Sequence, residues 1–182
     1  MSVETISWKG NHTILAITDK VTTGAPHFVE LAHHQPTKLD VVIQDKIKTE
    51  VIKCLNALEI KHGASHSEFK ITDNGEVYII EVGARMGGDF IGSHLVQLST
   101  GYDFLEGVID IALGKYETPI LKSNNFSGVY FLCKETEKIL HFFNQKNNFD
   151  FKKQIQDSNF KNITNSNDRS GYLIYQDNKR IE

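Results

Sequence analysis

Two glutamates, Glu68 and Glu81, lie in strand-like segments on either side of the turn sequence Asp73-Asn74-Gly75. Asn-Gly between alternating segments indicates a β-hairpin, because a tight type I′ turn needs a positive φ at both central residues. A two-residue loop at Asn74-Gly75 would fix the register of the two strands. The pairs counted outward from that loop are Thr72 with Val77, Lys70 with Ile79, and Glu68 with Glu81.

Opposed carboxylates on one face of this hairpin suggest a metal site. Directly opposed side chains lie about 5 Å apart at Cβ, and like charges so placed destabilise a hairpin unless something compensates them. Mg²⁺ is commonly bound by one or two carboxylates, so Glu68 and Glu81 are candidate Mg²⁺ ligands. Two alternatives stay open at this point: a three-residue loop would break the pairing, and exposed carboxylates on a hairpin often have no function.

The residues that follow Glu81 carry further chemistry. Alternation along the strand places Gly83 and Arg85 on the same face as the two acids, and His66 would lie opposite Gly83. The guanidinium group of Arg85 can bind two oxygens at once, so beside a metal-binding acid pair it suits a polyphosphate. A glycine-rich turn then follows in the sequence Met86-Gly87-Gly88-Asp89.

The elements that must position these residues are strands followed by a helix. Residues 2–9, 12–20 and 27–33 are predicted strands. The spacing of apolar residues predicts a helix over 39–62, with Thr37 and Asp40 as a weak capping box and Gly63 as its stop. After the hairpin at 64–82, the sequence predicts helices over 90–100 and 103–113, a strand over 127–134, a short helix, a polar Asn-rich stretch and a strand over 172–175. This order favours an α+β fold over a regularly alternating parallel sheet.

Composition excludes several classes of function. A chain of 182 residues with 40% apolar residues can bury a core as one domain or two small ones. The net charge of −3, with acids and bases interspersed, implies neither a nucleic-acid nor a membrane partner. No signal peptide and no apolar run long enough to span a bilayer is present, so a cytoplasmic location is expected. Cys54 and Cys133 are expected to be buried structural thiols rather than a disulfide.

Three motifs together resemble the ATP-grasp superfamily. They are His66-Ser67-Glu68-Phe69-Lys70, then Glu81-x-x-x-Arg85-x-Gly87-Gly88-Asp89, then Gly101-Tyr102-Asp103. The match covers most of residues 2–114 and resembles the C-terminal half of the ATP-grasp domain. Within the superfamily it is most similar to the L-amino-acid-ligase and carbamoyl-phosphate-synthase-like branch. The resemblance implies an α+β domain over residues 1–118, with an antiparallel sheet packed against helices, and a small α/β C-terminal extension as a second subdomain over residues 119–182.

The resemblance also implies roles for individual residues. Glu68 and Glu81 would bind Mg²⁺, with Mn²⁺ as an alternative, at the phosphates of ATP. Arg85 would be the catalytic residue that stabilises an acyl phosphate or its tetrahedral successor. Gly87 and Gly88 would let the backbone approach the substrate closely.

Three further positions near the acids have more than one interpretation. Gly83 stands where relatives often have an Asn metal ligand, so that ligand is either lost or replaced by water. His66 is a candidate contact to ATP or substrate, with a hydrogen-bonded structural histidine as the alternative. Lys20 is a candidate contact to a phosphate of ATP, with a solvated lysine as the alternative.

Other polar residues are expected to have no part in the chemistry. His33 and His34 follow a predicted strand and are expected to be exposed, with contact to the site as the alternative. Asp89 is expected to be the N-cap of the helix that begins at Phe90. The turn Asp168-Arg169-Ser170-Gly171 is expected to be structural.

The function implied by the resemblance is an ATP- and Mg²⁺-dependent carboxylate–amine ligase that forms an acyl phosphate. Phosphoryl transfer needs charge neutralisation and alignment more than a nucleophilic side chain, which agrees with two acids and Arg85. The alternative is a non-catalytic ATP-grasp remnant that acts as a nucleotide-binding, regulatory or assembly module. A Mg²⁺-dependent phosphatase is disfavoured because no general base accompanies the acids.

The expected partners follow from the same resemblance. A complete ATP-grasp enzyme has an N-terminal domain and a first nucleotide-binding subdomain, and this sequence resembles only the part that follows them. We therefore expect about the second half of an enzyme. ATP, a small carboxylate and an amine would be its ligands, and a second copy or another chain would supply the missing half.

Overall fold

The computed structural model describes residues 1–122 and 125–182, and these residues form one eight-stranded sheet in which all neighbouring strands are antiparallel. The strands are β1 (Ser2–Trp8), β2 (Asn11–Thr22), β3 (Glu30–Gln35), β4 (Gly63–Ile71), β5 (Val77–Gly83), β6 (Phe126–Leu132), β7 (Asp150–Ile155) and β8 (Gly171–Asp177). Their order across the sheet is β5-β4-β1-β2-β3-β6-β8-β7.

Four α-helices accompany this sheet, and the predicted α+β class is confirmed. They are α1 (Val41–Ala57), α2 (Val96–Thr100), α3 (Phe104–Leu113) and α4 (Leu140–Phe143), with a π-helical turn at Ile91–Leu95 directly before α2 and 3₁₀ turns at Lys134–Ile139 and Ser166–Asp168. Alternate residues of a strand project from opposite faces, so the two sides of β1 pack on different helices. Val3 packs in the core beneath α1, whereas Ile6 packs with Phe104 of α3.

The long helix is shorter than its apolar spacing predicts. Its N-cap is Asp40, whose side chain accepts a hydrogen bond from the backbone N–H of Ile43 at 3.0 Å, so the expected capping box with Thr37 is wrong. The helix ends at Ala57 with Leu58 as its C-cap. Gly63, with φ of +94°, is instead the first residue of β4. The apolar side chains Ile47, Val51 and Leu55 are buried against the sheet as expected.

Two further predictions differ from the observed elements. The predicted helix over 90–100 is a π-helical turn followed by the short α2, and Phe90 before it has a left-handed backbone with φ of +67°.

The polar Asn-rich stretch contains an unpredicted strand, β7, which pairs only with β8 among the described residues. Strand β7 lies at the edge of the sheet and exposes Phe151 and Ile155, so the usual alternation of core and surface residues is absent there.

Strand β6 pairs with β3, and the last three strands therefore continue the sheet that carries Glu68 and Glu81. The division near residue 118 stays a prediction. Cys54 and Cys133 are free thiols. Cys133 is buried as expected, whereas Cys54 is only partly buried, so the expectation for Cys54 is wrong. In the described part of the chain, no helix combines the length and the apolar character that crossing a bilayer requires.

Candidate functional site

The hairpin that carries the two acids has a three-residue loop, not the expected two-residue loop. The backbone N–H of Gly75 donates to the carbonyl of Thr72 at 2.9 Å, and Gly75 has φ of +78°. This is the usual three-residue arrangement, in which a turn is followed by one left-handed residue. The pairs expected near the turn are consequently wrong, because Val77 lies opposite Ile71 and Ile79 lies opposite Phe69.

A β-bulge at Ile80 restores the register farther from the turn. Ile80 has no partner on β4, and beyond it Glu68 lies opposite Glu81 and His66 lies opposite Gly83. The two acids are therefore opposed as expected, and they project from the same face of the sheet.

Glu68 is held by two neighbours on that face. Its carboxylate forms an ion pair with the ammonium group of Lys20 on β2, and it lies 3.3 Å from Nε2 of His66. The hydrogen bond from His66, followed by the bond and the positive charge of Lys20, lowers the pKa of Glu68 to about 2. The side chain of Lys20 is only 11% exposed, so the alternative of a solvated lysine is wrong.

His66 connects Glu68 to an acid that the sequence did not single out. Its Nδ1 donates to Glu4, which is completely buried in the central strand β1, and the other oxygen of Glu4 accepts the backbone N–H of Gly87 at 2.9 Å. Burial lowers the pKa of His66, but its hydrogen bonds to Glu4 and Glu68 outweigh burial and raise it. An acid between the apolar residues Val3 and Ile6 was the only sequence signal for Glu4.

Glu81 and Arg85 are more open to solvent. Glu81 is exposed, and its side chain has no hydrogen bond or ion pair with any residue that the structure describes, so the carboxylate is free to bind a ligand. Arg85 is also exposed and donates one hydrogen bond to the carbonyl of Met86 at 3.0 Å. The Arg85 side chain lies over Gly83, where an added Cβ would be 3.4 Å from its Cγ. A side chain at residue 83 would therefore meet Arg85 in ordinary van der Waals contact and would not collide with it.

The glycine-rich turn is pressed against the site. A Cβ at Gly87 would lie 2.6 Å from Oε1 of Glu4, whereas a Cβ at Gly88 would meet nothing within 4 Å. Asp89 and Phe90 follow with φ of +50° and +67°, a left-handed conformation that costs a non-glycine residue about 1–2 kcal/mol. Such strain often marks a functional segment.

Asp89 does not cap the following helix. Its carboxylate accepts hydrogen bonds from Arg169 at 2.9 Å and from Nε2 of His33 at 3.5 Å. Burial raises the pKa of Asp89, but the bond from His33 and the charge of Arg169 lower it overall. Arg169 also donates to the backbone carbonyl of Glu30 at 2.9 Å and stacks on Phe131. The turn at 168–171 is expected to be structural, and through Arg169 it holds Asp89 and Glu30 in place. Only tertiary packing brings this arginine to Asp89, so the sequence did not indicate the contact.

The two neighbouring histidines are both buried, contrary to expectation. His33 is 1% exposed and faces Asp89, while its Nδ1 has no partner among the described residues, and burial lowers its pKa. His34 projects from the other face of β3, where Nδ1 lies 2.8 Å from the hydroxyl of Tyr175. Burial lowers the pKa of His34 to about 3. His33 is therefore part of the site and His34 is part of the core.

A cavity of about 470 Å³ opens beside Glu68. Lys20, Glu30, Glu68 and Lys70 provide its charged lining. Phe28 and Ile80 provide exposed apolar surface. Cavities of this size, with apolar walls and a few charged groups, bind small ligands.

The carboxylates fit a Mg²⁺ ion that takes its remaining ligands from phosphate. In residues 1–122 and 125–182, no group of three His, Cys, Asp or Glu side chains is arranged to bind a metal. Mg²⁺ does not need a complete protein cage, because one or two carboxylates commonly bind it together with substrate phosphates and water. Glu68 and Glu81 can supply those two carboxylates once Lys20 releases an oxygen of Glu68.

Solved structures share this fold. The crystal structure of L-amino acid ligase from Bacillus licheniformis superimposes with a TM-score of 0.79 at 22% identity, covering 98% of this chain and 48% of that one. Phosphoribosylglycinamide synthetase from Anaerococcus prevotii gives a TM-score of 0.73 at 20% identity, again covering 98% of this chain and 48% of that one. At these sequence identities the similarity shows that the chain shares the fold of the two proteins.

Sequence comparison identifies the family. The profile of the ATP-grasp domain matches residues 1–93, just over half of the chain. Alanine–anticapsin ligase of Bacillus subtilis (strain 168) is 34% identical over 88 residues, which are 48% of this chain and 18% of that protein. The chain belongs to the ATP-grasp family, as its three motifs predict. It spans about half the length of the two solved structures and less than a fifth of the curated relative.

Proposed function

We propose that this chain is part of an ATP- and Mg²⁺-dependent carboxylate–amine ligase and provides the Mg·ATP end of the active site. The observation that carries the proposal is the opposition of Glu68 and Glu81 across β4 and β5, beside Lys20 and the 470 Å³ cavity. Two opposed carboxylates, one of which lines the cavity together with Lys20, suit a metal-bound polyphosphate better than any other common ligand.

The chain's own residues have distinct tasks in this proposal. A bound Mg²⁺ would neutralise charge on the phosphates during transfer. Lys20 leaves Glu68 and binds a phosphate oxygen, while Glu68 stays ionised because His66 still donates to it. Arg85, exposed at the start of the glycine-rich turn, turns from the Met86 carbonyl to the transferred phosphoryl group.

The reaction follows from the weak electrophilicity of a carboxylate. Phosphorylation by ATP converts the carboxylate to an acyl phosphate and releases ADP. An amine then attacks the acyl carbon, and phosphate leaves as the C–N bond forms. Gly87 and Gly88 present backbone close to this reaction, and no nucleophilic side chain is required.

Isothermal titration calorimetry with Mg·ATP tests the site. We expect wild-type chain to bind and Glu81→Gln to lose at least tenfold in affinity, because one of two metal ligands becomes neutral. The matched control is Glu76→Gln, an exposed glutamate on the same hairpin that does not face Glu68. Equal affinity for wild-type chain and Glu81→Gln would contradict the proposed metal role.

A second candidate is a nucleotide-binding module without catalysis. The observation that favours it is that Arg85 donates to the carbonyl of Met86 at 3.0 Å and does not line the cavity. Release of ADP and phosphate from ATP, measured with mixtures of small carboxylates and amines, distinguishes the two functions. Binding of Mg·ATP without turnover would favour the module.

The remaining expectations are proposals of the same kind. Mn²⁺ would replace Mg²⁺, because it accepts the same oxygen ligands. A homodimer or a second chain would contribute further walls of the nucleotide pocket. A cytoplasmic location would give access to ATP. Residues 119–182 would form a subdomain that carries Arg169 to the site.

A further inference from the structure

Glu4 is a completely buried acid in the middle of the sheet. It lies on β1 between β2 and β4, and it is opposite His66 in the β1–β4 ladder. A buried carboxylate is tolerated only when its oxygens are hydrogen-bonded. Glu4 satisfies this condition with Nδ1 of His66 on one oxygen and the backbone N–H of Gly87, at 2.9 Å, on the other.

These two hydrogen bonds join parts of the site that are far apart in sequence. His66 bonds to Glu4 through one ring nitrogen, and its other nitrogen lies 3.3 Å from Glu68. A continuous path of three contacts therefore runs from the glycine-rich turn to the hairpin acid. Arg85 lies two residues before Gly87, so the turn that Glu4 fixes also carries the guanidinium group.

The close approach at Gly87 shows that the turn fits against Glu4. An added Cβ there would lie 2.6 Å from Oε1 of Glu4 and 2.8 Å from Nδ1 of His66. The φ of Gly87 is not in the left-handed region, so the lack of space, and not the backbone conformation, requires glycine.

We propose that Glu4 is a positioning residue that sets the glycine-rich turn and Glu68 relative to each other, and so controls Mg·ATP affinity without touching the nucleotide. This inference rests on the proposed function. Glu4 has no exposed surface, so any effect of its substitution on nucleotide binding must pass through His66 or Gly87.

Three variants test the proposal by calorimetric titration with Mg·ATP. Glu4→Ala removes both hydrogen bonds and is expected to weaken affinity at least tenfold. Glu4→Gln keeps an acceptor for Gly87 and offers a donor to neutral His66, so it is expected to stay within threefold of wild type. Thr5→Val is the matched control, because Thr5 is equally buried on the same strand and its hydroxyl has no partner in the described part of the chain. Equal loss of affinity in Thr5→Val and Glu4→Ala would overturn the proposal.

A measurement without nucleotide separates this proposal from the proposed function. Amide hydrogen exchange at Gly87 is expected to accelerate at least tenfold in Glu4→Ala, and the side-chain resonances of His66 and Glu68 are expected to shift. Glu4→Gln should restore both signals. If wild-type chain does not bind Mg·ATP, the proposed function fails, while these signals still decide whether Glu4 positions the turn. Unchanged Gly87 exchange in folded Glu4→Ala would contradict the positioning role.

If Glu4→Ala does not fold, Gly87→Ala provides the same test, because Gly87 is the other partner in the hydrogen bond with Glu4. The added methyl must displace the Glu4 carboxylate, so the resonances of His66 and Glu68 are expected to shift. Gly88→Ala, in open space one residue later, should leave them in place. Identical spectra for the two alanine variants would overturn the proposal.

Discussion

Arg169 lies 2.9 Å from the carboxylate of Asp89, a contact that joins the turn before β8 to the glycine-rich turn eighty residues earlier in the chain. The guanidinium group also donates to the backbone of Glu30 and lies with its central carbon 3.7 Å from the ring centre of Phe131. The Arg169 side chain thus holds the start of β3 and the glycine-rich turn together at one end of the site. Asp89 and Phe90, with left-handed backbones, are held in place partly by this contact.

Substitution Arg169→Lys should destabilise the protein. Lysine cannot reach Asp89 and Glu30 together or stack flat on Phe131, because its charge is a single point on a flexible stem. We expect the free energy of unfolding to fall by roughly 2 kcal/mol, the scale for lost hydrogen bonds to charged groups. Chemical denaturation measures the change. Arg85→Lys is the control, since Arg85 is exposed and should change stability by less than about 0.5 kcal/mol. A similar small effect for both variants would refute a structural role for Arg169.

Gly87→Ala should cost more stability than Gly88→Ala. The Cβ at residue 87 would collide with buried Glu4, and such overpacking typically costs about 1–3 kcal/mol. The Cβ at residue 88 meets nothing within 4 Å, so its effect should stay within about 0.5 kcal/mol. Thermal and urea unfolding of both variants provide the comparison.

A double variant identifies the collision partner. If the Glu4 carboxylate causes the cost, adding Gly87→Ala to Glu4→Ala should destabilise much less than adding it to wild type. Additive effects of the two substitutions would show instead that Gly87 is constrained by another group.

The sequence predicts the opposition of Glu68 and Glu81, but it does so through a loop that does not form. The two-residue loop and the observed three-residue loop differ by one residue in register, and the bulge at Ile80 cancels that difference. A bulge depends on sheet twist and on side-chain packing over the whole sheet, so no local turn motif predicts it. The predicted pairing of the two acids is therefore observed, although the turn from which it was counted is wrong.

The residues that sequence analysis missed are joined by long-range contacts. Glu4 contacts His66 on the neighbouring strand, and Arg169 contacts Asp89, which lies 80 residues earlier in the sequence. Periodicity predicts that a residue lies on a strand, but not which strand lies beside it. His33 and His34 were expected to be exposed because strand β3 was placed three residues too early and ended before His34.

The pKa of Glu68 should rise when either of its partners is removed. The hydrogen bond from His66 is the largest single cause of the low pKa of about 2, and the hydrogen bond and charge of Lys20 also lower it. We expect His66→Gln to raise the pKa of Glu68 more than Lys20→Met does, and both to move it towards its usual value of 4.5. Titration of the side-chain ¹³C resonance of Glu68 measures this. A larger rise in Lys20→Met would reverse the order of the two contributions.

His34 should make the fold less stable in mild acid. Its pKa is about 3 in the folded protein and about 6.5 when unfolded, because burial disfavours its charged form. Between pH 6.5 and pH 3 the unfolded chain therefore binds a proton at His34 that the folded chain does not bind. The contribution of neutral His34 to the free energy of unfolding is fully present above pH 6.5 and is lost as the pH falls. Because of this linkage between proton binding and folding, the free energy of unfolding falls by roughly 2 kcal/mol between pH 7 and pH 5.

The surrounding charges modify this effect but do not reverse it. Burial is the largest cause of the low pKa of His34, and the charges of Arg180 and His33 act in the same direction. Asp19 and Glu182 raise the pKa, but they do not outweigh burial. Tyr175 and Tyr130 pack on the same ring, but the pKa of each is raised, so neither titrates in mild acid.

Substitution His34→Gln removes the titrating group, so its free energy of unfolding should fall less steeply than that of wild type between pH 7 and pH 5. The comparison with wild type cancels the other histidines, including His33, whose lowered pKa acts in the same direction, and His66, whose raised pKa acts in the opposite direction. Urea unfolding at several pH values measures the slopes. His27→Gln, at an exposed histidine, is the control and should keep the wild-type slope. Parallel pH profiles for wild type and His34→Gln would show that His34 is not the acid-sensitive group.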